Sequence, residues 1–320
     1  MLRCAVLDDY QHVARSFGDW TRLSGKVDLQ VHHEHYETEE EVARAVGDCE
    51  IVVAMRERTP FRDSLLQRLP RLQLLITTGM RNAAIDVAAA AKRGVVVCGT
   101  GHFGSGTSEL TWGLILALAR HIPAEYSSFR GGGPWQASVG MDLYQRRLGV
   151  IGLGRLGSNV ARVGLAFGMR VQAWSKNLTA EKCAAAGVDF APSLDALLES
   201  SDVVTVHLIL SDRSRGLIGD RELRRMKPSA LLINTSRGAI IDEAALVAAL
   251  REKRIGGAGL DVYDREPLPR DHVLRGLYNV VCTPHIGYVT DETYKRYFTD
   301  AIGNIEAWLA GAPERVIPPA

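Results

Sequence analysis

Three short segments in the C-terminal half of the chain carry side chains that can hold an anion and move a proton. They read Asn234-Thr-Ser-Arg-Gly238, Leu260-Asp-Val-Tyr-Asp-Arg-Glu-Pro267 and Cys282-Thr-Pro-His-Ile-Gly287. Each lies at the end of a short apolar run, and in an open α/β sheet ligands sit outside the carboxyl ends of the strands. Arg237, Glu266 and His285 should therefore fall near one half of a ligand crevice. Taken singly, each has a plainer reading: Arg237 as a surface ion pair, Glu266 as a loop carboxylate, His285 as a capping or core histidine. What gives the set weight is its order behind a fourth motif.

That motif is Leu148-Gly-Val-Ile-Gly-Leu-Gly-Arg-Leu-Gly157, in which Gly152, Gly154 and Gly157 form GxGxxG. It follows an apolar strand pattern and opens a helical one, Ser158–Phe167, the context a dinucleotide-binding turn requires. Gly152 permits the tight turn, Gly154 lets backbone approach a pyrophosphate, and Gly157 lets helix and strand pack closely. Arg155 and Leu156 lie where free N–H groups and the positive helix end face phosphate. About 20 residues on, an acidic residue would accept ribose hydroxyls. Ser175 stands there, followed by Lys176. With no carboxylate to repel a 2′-phosphate, the reading favours NADP(H) over NAD(H). The alternative is a solvated Lys176 and bound NAD(H). His207 and Thr235, near the ends of later strand patterns, are further candidate cofactor contacts.

The elements that must position these residues alternate between short apolar runs and helical patterns, the mark of βαβ units and a parallel sheet. A first series of strands is expected at Cys4–Leu7, Val27–Val31, Ile51–Met55, Leu72–Thr77 and Val95–Cys98. Helices are expected at Thr38–Val46, Pro60–Arg68 and Ile85–Lys92, the first opened by a Thr38/Glu41 capping box. Ser108–Arg120 is apolar nearly all round, which fits either a core helix or a subunit contact. After a glycine-rich loop at Arg130–Pro134, a second series is expected at Leu148–Ile151, Arg170–Trp174, Val203–His207, Leu231–Asn234, Gly259–Val262 and Val280–Cys282. Asp291–Leu309 closes the chain as a long helix.

Together, these segments resemble the D-isomer-specific 2-hydroxyacid dehydrogenase family, over nearly the whole chain. The resemblance implies a soluble α/β enzyme with two doubly wound parallel-sheet domains. One is a Rossmann dinucleotide-binding domain at residues 101–287. The other is a flavodoxin-like substrate domain at 1–100 and 288–320, with hinges near Thr100 and Pro284–Tyr288. It implies Arg237, Glu266 and His285 as the catalytic triad and Asp261 as a partner of the nicotinamide amide. Arg237 offers a planar, permanently charged fork for a keto-acid carboxylate. His285 gives a proton to the carbonyl oxygen, and Glu266, bonded to the far ring nitrogen, favours the imidazolium. The expected reaction is reduction of a small 2-keto acid to its D-2-hydroxy acid by NAD(P)H. Phosphite-type and formate-type dehydrogenases and dinucleotide-sensing corepressors share the fold. The acid at Glu266 disfavours the formate reading.

The chain departs from the family at Gly79-Met-Arg-Asn-Ala-Ala-Ile-Asp86, where Gly-x-Gly-x-Asp-Asn-Ile-Asp is usual. Met80 and Arg81 are candidate substrate contacts there, Arg81 either binding a second anionic group or pointing into solvent. His32, His33 and His35 hint at a metal, but with no further ligand at suitable spacing they read as a solvated loop, and no metal is expected. His12, His121 and His272 show no partner in the sequence. A net charge of +1 over 320 residues gives no case for nucleic acid or an acidic membrane surface. Five cysteines without zinc spacing read as reduced thiols of a cytoplasmic protein, and no run approaches the about 18 apolar residues of a membrane span. A homodimer is expected.

Overall fold

The computed structural model describes residues 1–319, which divide into two compact units, Met1–Gly104 with the chain from Thr290 onward, and Ser105–Val289. In the first unit, β1 (Leu2–Val6), β2 (Val27–Val31), β3 (Ile51–Ala54), β4 (Leu74–Thr77) and β5 (Val96–Gly99) form a parallel sheet. Its order, β2-β1-β3-β4-β5, is that of flavodoxin. Every residue of β3 and β4 is buried, as unbroken Ile/Val/Leu runs must be when helices cover both faces of a parallel sheet. The helix Glu39–Val46 opens with the Thr38/Glu41 capping box. Helix Asp291–Leu309 belongs to this unit, burying Tyr294, Tyr297, Phe298 and Ile302, and its Asn304 amide donates to the Gly99 carbonyl at 2.8 Å.

In the second unit, β6 (Arg147–Ile151), β7 (Arg170–Trp174), β8 (Asp189–Phe190), β9 (Val203–Val206), β10 (Leu231–Asn234), β11 (Gly257–Leu260) and β12 (Val280–Cys282) form a parallel sheet of order β12-β11-β10-β9-β6-β7-β8. This is the Rossmann order with one strand added. The chain reverses its direction of growth between β6 and β9, where Ile151 pairs with Val206. That switch point is where doubly wound sheets open a ligand crevice.

Several boundaries differ from those the sequence suggests, each for a local reason. The helix expected at Pro60–Arg68 shrinks to Asp63–Leu66 because Phe61 makes a parallel bridge to Ile85. The next begins at Val87, after Asp86 caps it by accepting from the Ala89 N–H. The glycine-loop helix begins at Arg155 rather than Ser158, and the strand expected at Gly259–Val262 lies at Gly257–Leu260. Helix Ile122–Arg130 was not anticipated; it buries none of its residues, and its apolar side chains Ile122, Tyr126 and Phe129 stand exposed. The apolar helix, observed at Gly106–Ala119, lies in the core of its own unit, with Trp112, Leu114 and Ile115 packed in one cluster with Leu148, Val150 and Ile233.

The histidine segment is not the solvated loop its polarity suggested. His32 Nδ1 lies 2.8 Å from the Tyr36 hydroxyl, and His35 Nδ1 lies 3.1 Å from the buried Asp8 carboxylate. His33 stacks on His12 with ring centroids 3.8 Å apart. These rings pack over Asp8 and Asp9 just beyond the end of β1. His272, likewise unpartnered in the sequence reading, meets Glu243 at 3.1 Å. Among the described residues, no group of three or more His, Cys, Asp or Glu side chains is arranged to hold a metal ion, and no helix is long and apolar enough to cross a membrane.

Candidate active site

Strand register brings the three chemical segments together. Asn234 pairs with Leu260, and Leu260 with Cys282, so β10, β11 and β12 end at the same level. Adjacent strands lie about 4.8 Å apart. Arg237 stands three residues beyond the first of these ends, Glu266 six beyond the second and His285 three beyond the third. The Arg237 loop is pressed onto the Glu266 loop at Gly238, where a side chain would overlap the Tyr263 and Asp264 backbone. Arg237 is half-buried, its guanidinium donating to the Ser236 carbonyl at 2.7 Å while its own carbonyl accepts from the Asn234 amide at 2.9 Å.

His285 and Glu266 are in direct contact, with Nδ1 to Oε2 at 2.6 Å. The other carboxylate oxygen accepts from the Tyr263 N–H at 2.9 Å, so Glu266 is held on both sides. His285 has a left-handed backbone, φ 53°, which is uncommon for a residue with a side chain. Asp261 holds that turn in place. Its Oδ1 accepts from the Thr283 hydroxyl at 2.6 Å and the Ile286 N–H at 2.8 Å, and its Oδ2 from the Gly287 N–H at 2.8 Å. Burial pushes the Asp261 carboxyl up, against the lowering effect of these hydrogen bonds. The sequence reading gave Asp261 to the nicotinamide amide alone. Here its first partners are the turn that carries His285, with capacity for one more donor on Oδ2.

At the switch point, Gly152 has φ 99°, a backbone closed to most side chains, and packs against the His207 carbonyl. A side chain at Gly157 would overlap the Gly152 carbonyl, whereas one at Gly154 would meet nothing within 4 Å. The space above Gly154, at the N-terminus of helix Arg155–Ala166, is open as a pyrophosphate cradle requires. Arg155 is exposed and Leu156 half-buried at its rim. His207 shares Nε2 with the Thr205 hydroxyl at 2.8 Å, while its Nδ1 is buried without a protein partner. Burial pushes this imidazole down to about 4, so it is neutral at pH 7. An orphaned polar atom beside an open glycine turn fits a bound dinucleotide. Thr235 is buried, 2.9 Å from the Thr111 hydroxyl. Ser175 and the exposed Lys176 follow β7 directly.

Met80 and Arg81 lie in the first unit, beyond the end of β4, and both side chains are exposed. The sequence reading missed a neighbour. The Arg56 guanidinium lies against Gly79 and donates to the Thr78 carbonyl at 3.0 Å. Its signal was available, since Arg56 follows the wholly apolar β3 as Arg237 follows β10. Tyr263 was also missed, because nothing in its spacing shows where its hydroxyl points.

Residues 112–287 match the family described as D-isomer specific 2-hydroxyacid dehydrogenase, NAD binding domain. A glyoxylate reductase of Aeropyrum pernix is 40% identical over 256 residues, covering 77% of this chain and 76% of that protein. A D-3-phosphoglycerate dehydrogenase of Methanocaldococcus jannaschii is 35% identical over 277 residues, 86% of this chain and 52% of that one. The crystal structure of a phosphoglycerate oxidoreductase from Vibrio cholerae superposes with a TM-score of 0.92 at 34% identity, covering 98% of this chain and 100% of that one.

Proposed function

The chain belongs to the D-isomer specific 2-hydroxyacid dehydrogenase family, and from that premise we propose that it reduces a small 2-keto acid to the D-2-hydroxy acid with a nicotinamide cofactor. The observation that carries this reading is the 2.6 Å contact of His285 with Glu266, in the segments that follow register-matched strand ends beside the Arg237 loop. Arg237 binds the substrate carboxylate and polarises its carbonyl. The nicotinamide, when bound, supplies the hydride. The His285 ring donates a proton to the forming alkoxide, and in the reverse direction takes it back. Glu266 keeps the ring oriented. Met80 and Arg81 are proposed substrate contacts.

Gly152, Gly154, Gly157 and the first residues of the following helix would hold the pyrophosphate, with His207 beside the same turn. Thr235 and Asp261 line the same strand ends. Ser175 and Lys176 favour a 2′-phosphate, so the cofactor is NADP(H) rather than NAD(H). A panel of glyoxylate, hydroxypyruvate and longer 2-keto acids with each cofactor tests the reading. We expect turnover with higher kcat/KM for NADPH, and a preference that falls at least tenfold in Lys176→Ala. Tight cofactor binding without turnover of any keto acid would instead support a dinucleotide sensor.

The protein acts as a homodimer in the reducing cytoplasm. All five cysteines are free thiols. On the second unit, Ile122, Tyr126, Phe129, Trp135 and Tyr144 stand exposed, with Phe129 and Trp135 rings 6.0 Å apart. Exposed apolar clusters of this kind mark association surfaces, and a second copy satisfies one by two-fold symmetry. Sedimentation should give twice the mass of the 35.0 kDa chain, and Phe129→Asp should halve it. A wild-type protein that sediments as a monomer at micromolar concentration would overturn the dimer.

A further inference from the structure

We propose that Tyr263 is a positioning residue that holds both members of the proton-transferring pair through one closed ring of hydrogen bonds. The proposal rests on the proton-transfer reading given above. Tyr263 follows β11 by three residues, and its side chain turns inward, leaving the residue buried. Its main-chain N–H grips Glu266 Oε1 at 2.9 Å. Glu266 Oε2 meets His285 Nδ1 at 2.6 Å. The His285 N–H donates to the Thr283 carbonyl at 3.0 Å. The Tyr263 hydroxyl donates to that same carbonyl at 2.9 Å, and shares its proton with the Leu260 carbonyl at 3.1 Å. The ring therefore runs Tyr263, Glu266, His285, Thr283 and back to Tyr263.

The hydroxyl also meets the Cys282 thiol, on the last residue of β12. It pins the first residue after β12 to the last residue of β11. Burial pushes the phenol up, so it remains a donor wherever the enzyme works. His285 occupies its left-handed backbone only while its surroundings hold it there. Asp261 fixes the far side of the turn, at Ile286 and Gly287, and Tyr263 fixes the near side at Thr283. The geometry needed for proton transfer is tight, and small losses of alignment cost rate rather than binding.

Tyr263→Phe removes the strap without unmaking the fold. The ring still fills its place, and both abandoned carbonyls retain a backbone donor, Leu260 from the Thr283 N–H at 2.8 Å and Thr283 from the His285 N–H. We expect kcat for keto-acid reduction to fall about fivefold to twentyfold. KM for the keto acid and cofactor affinity, measured by fluorescence titration, should stay within twofold. Glu266→Gln should lower kcat further, and Tyr263→Phe should add little on top of it. If Glu266→Gln leaves kcat at its wild-type value, the proton-transfer reading itself is wrong. If Glu266→Gln lowers kcat while Tyr263→Phe leaves it at the wild-type value, Tyr263 alone is dismissed, and equal losses in kcat and cofactor affinity would likewise reduce it to a packing residue.

Discussion

His285→Asn is expected to lower kcat for keto-acid reduction by about 10²- to 10⁴-fold, the range in which a positioned general acid contributes. Asn suits the test because it tolerates the left-handed backbone observed at this position, φ 53°, better than most residues. The backbone bond from residue 285 to the Thr283 carbonyl and the Asp261 bonds to the turn stay in place. The fold and the glycine turn are therefore expected to be unchanged, and cofactor affinity should remain at the wild-type value. What is lost is the ring that meets Glu266 at 2.6 Å and can hand over a proton. A loss smaller than tenfold, with the protein folded and cofactor bound, would mean that another group or water supplies the proton.

Arg237→Lys is the second large effect. It keeps the charge and removes the fork. An Arg–carboxylate pair makes two parallel charge-assisted hydrogen bonds. Each is worth about 1.5–3 kcal/mol, so losing the pair costs about 3–6 kcal/mol, and at 1.36 kcal/mol per decade kcat/KM should fall by about 10²- to 10⁴-fold. Part of the loss should appear as a raised KM, since the fork holds the substrate before reaction as well as during it. The loop itself is rigid, because Gly238 seats it against the Tyr263 and Asp264 backbone and the Asn234 amide bonds the Arg237 carbonyl. Lys cannot regain the geometry by a loop movement. A kcat/KM within fivefold of wild type would mean the carboxylate is bound elsewhere.

The fold was legible where a residue pattern has one physical solution. GxGxxG after an apolar strand yields the turn at Gly152–Gly157, and the Thr38/Glu41 pair caps its helix as read. The amphipathic run Asp291–Leu309 is a helix over that very span. Where neighbours decide, the reading failed. Helix Ile122–Arg130 buries nothing, and its apolar residues Ile122, Tyr126 and Phe129 sit among polar ones on an exposed segment, so they were not read as a core-facing stripe. Phe61 is held extended by Ile85, more than 20 residues away in sequence, which shortens a helix that looked longer. His32, His33 and His35 looked solvated because polarity alone does not reveal that Asp8 and His12 lie beneath them.

The candidate site shows the same division. Residue types named Arg237, Glu266 and His285, but spacing could not show that β10, β11 and β12 end in register, nor that the Glu266 and His285 side chains touch. Asp261 was read as a ligand contact, and its carboxylate proves to be spent largely on the turn around His285. Tyr263 was invisible, because its part depends on a hydroxyl meeting a carbonyl 20 residues further along the chain.

The central claim, that these strand ends deliver a hydride and a proton to one keto acid, is tested most directly by following the hydride. The enzyme is incubated with nicotinamide cofactor deuterated at C4 and with hydroxypyruvate or a longer 2-keto acid, and the product is analysed by mass spectrometry and chiral chromatography. The account predicts deuterium at C2 of a D-2-hydroxy acid, formed by wild type and lost from His285→Asn in proportion to its kcat. Cofactor that binds yet transfers no label to any 2-keto acid would contradict it.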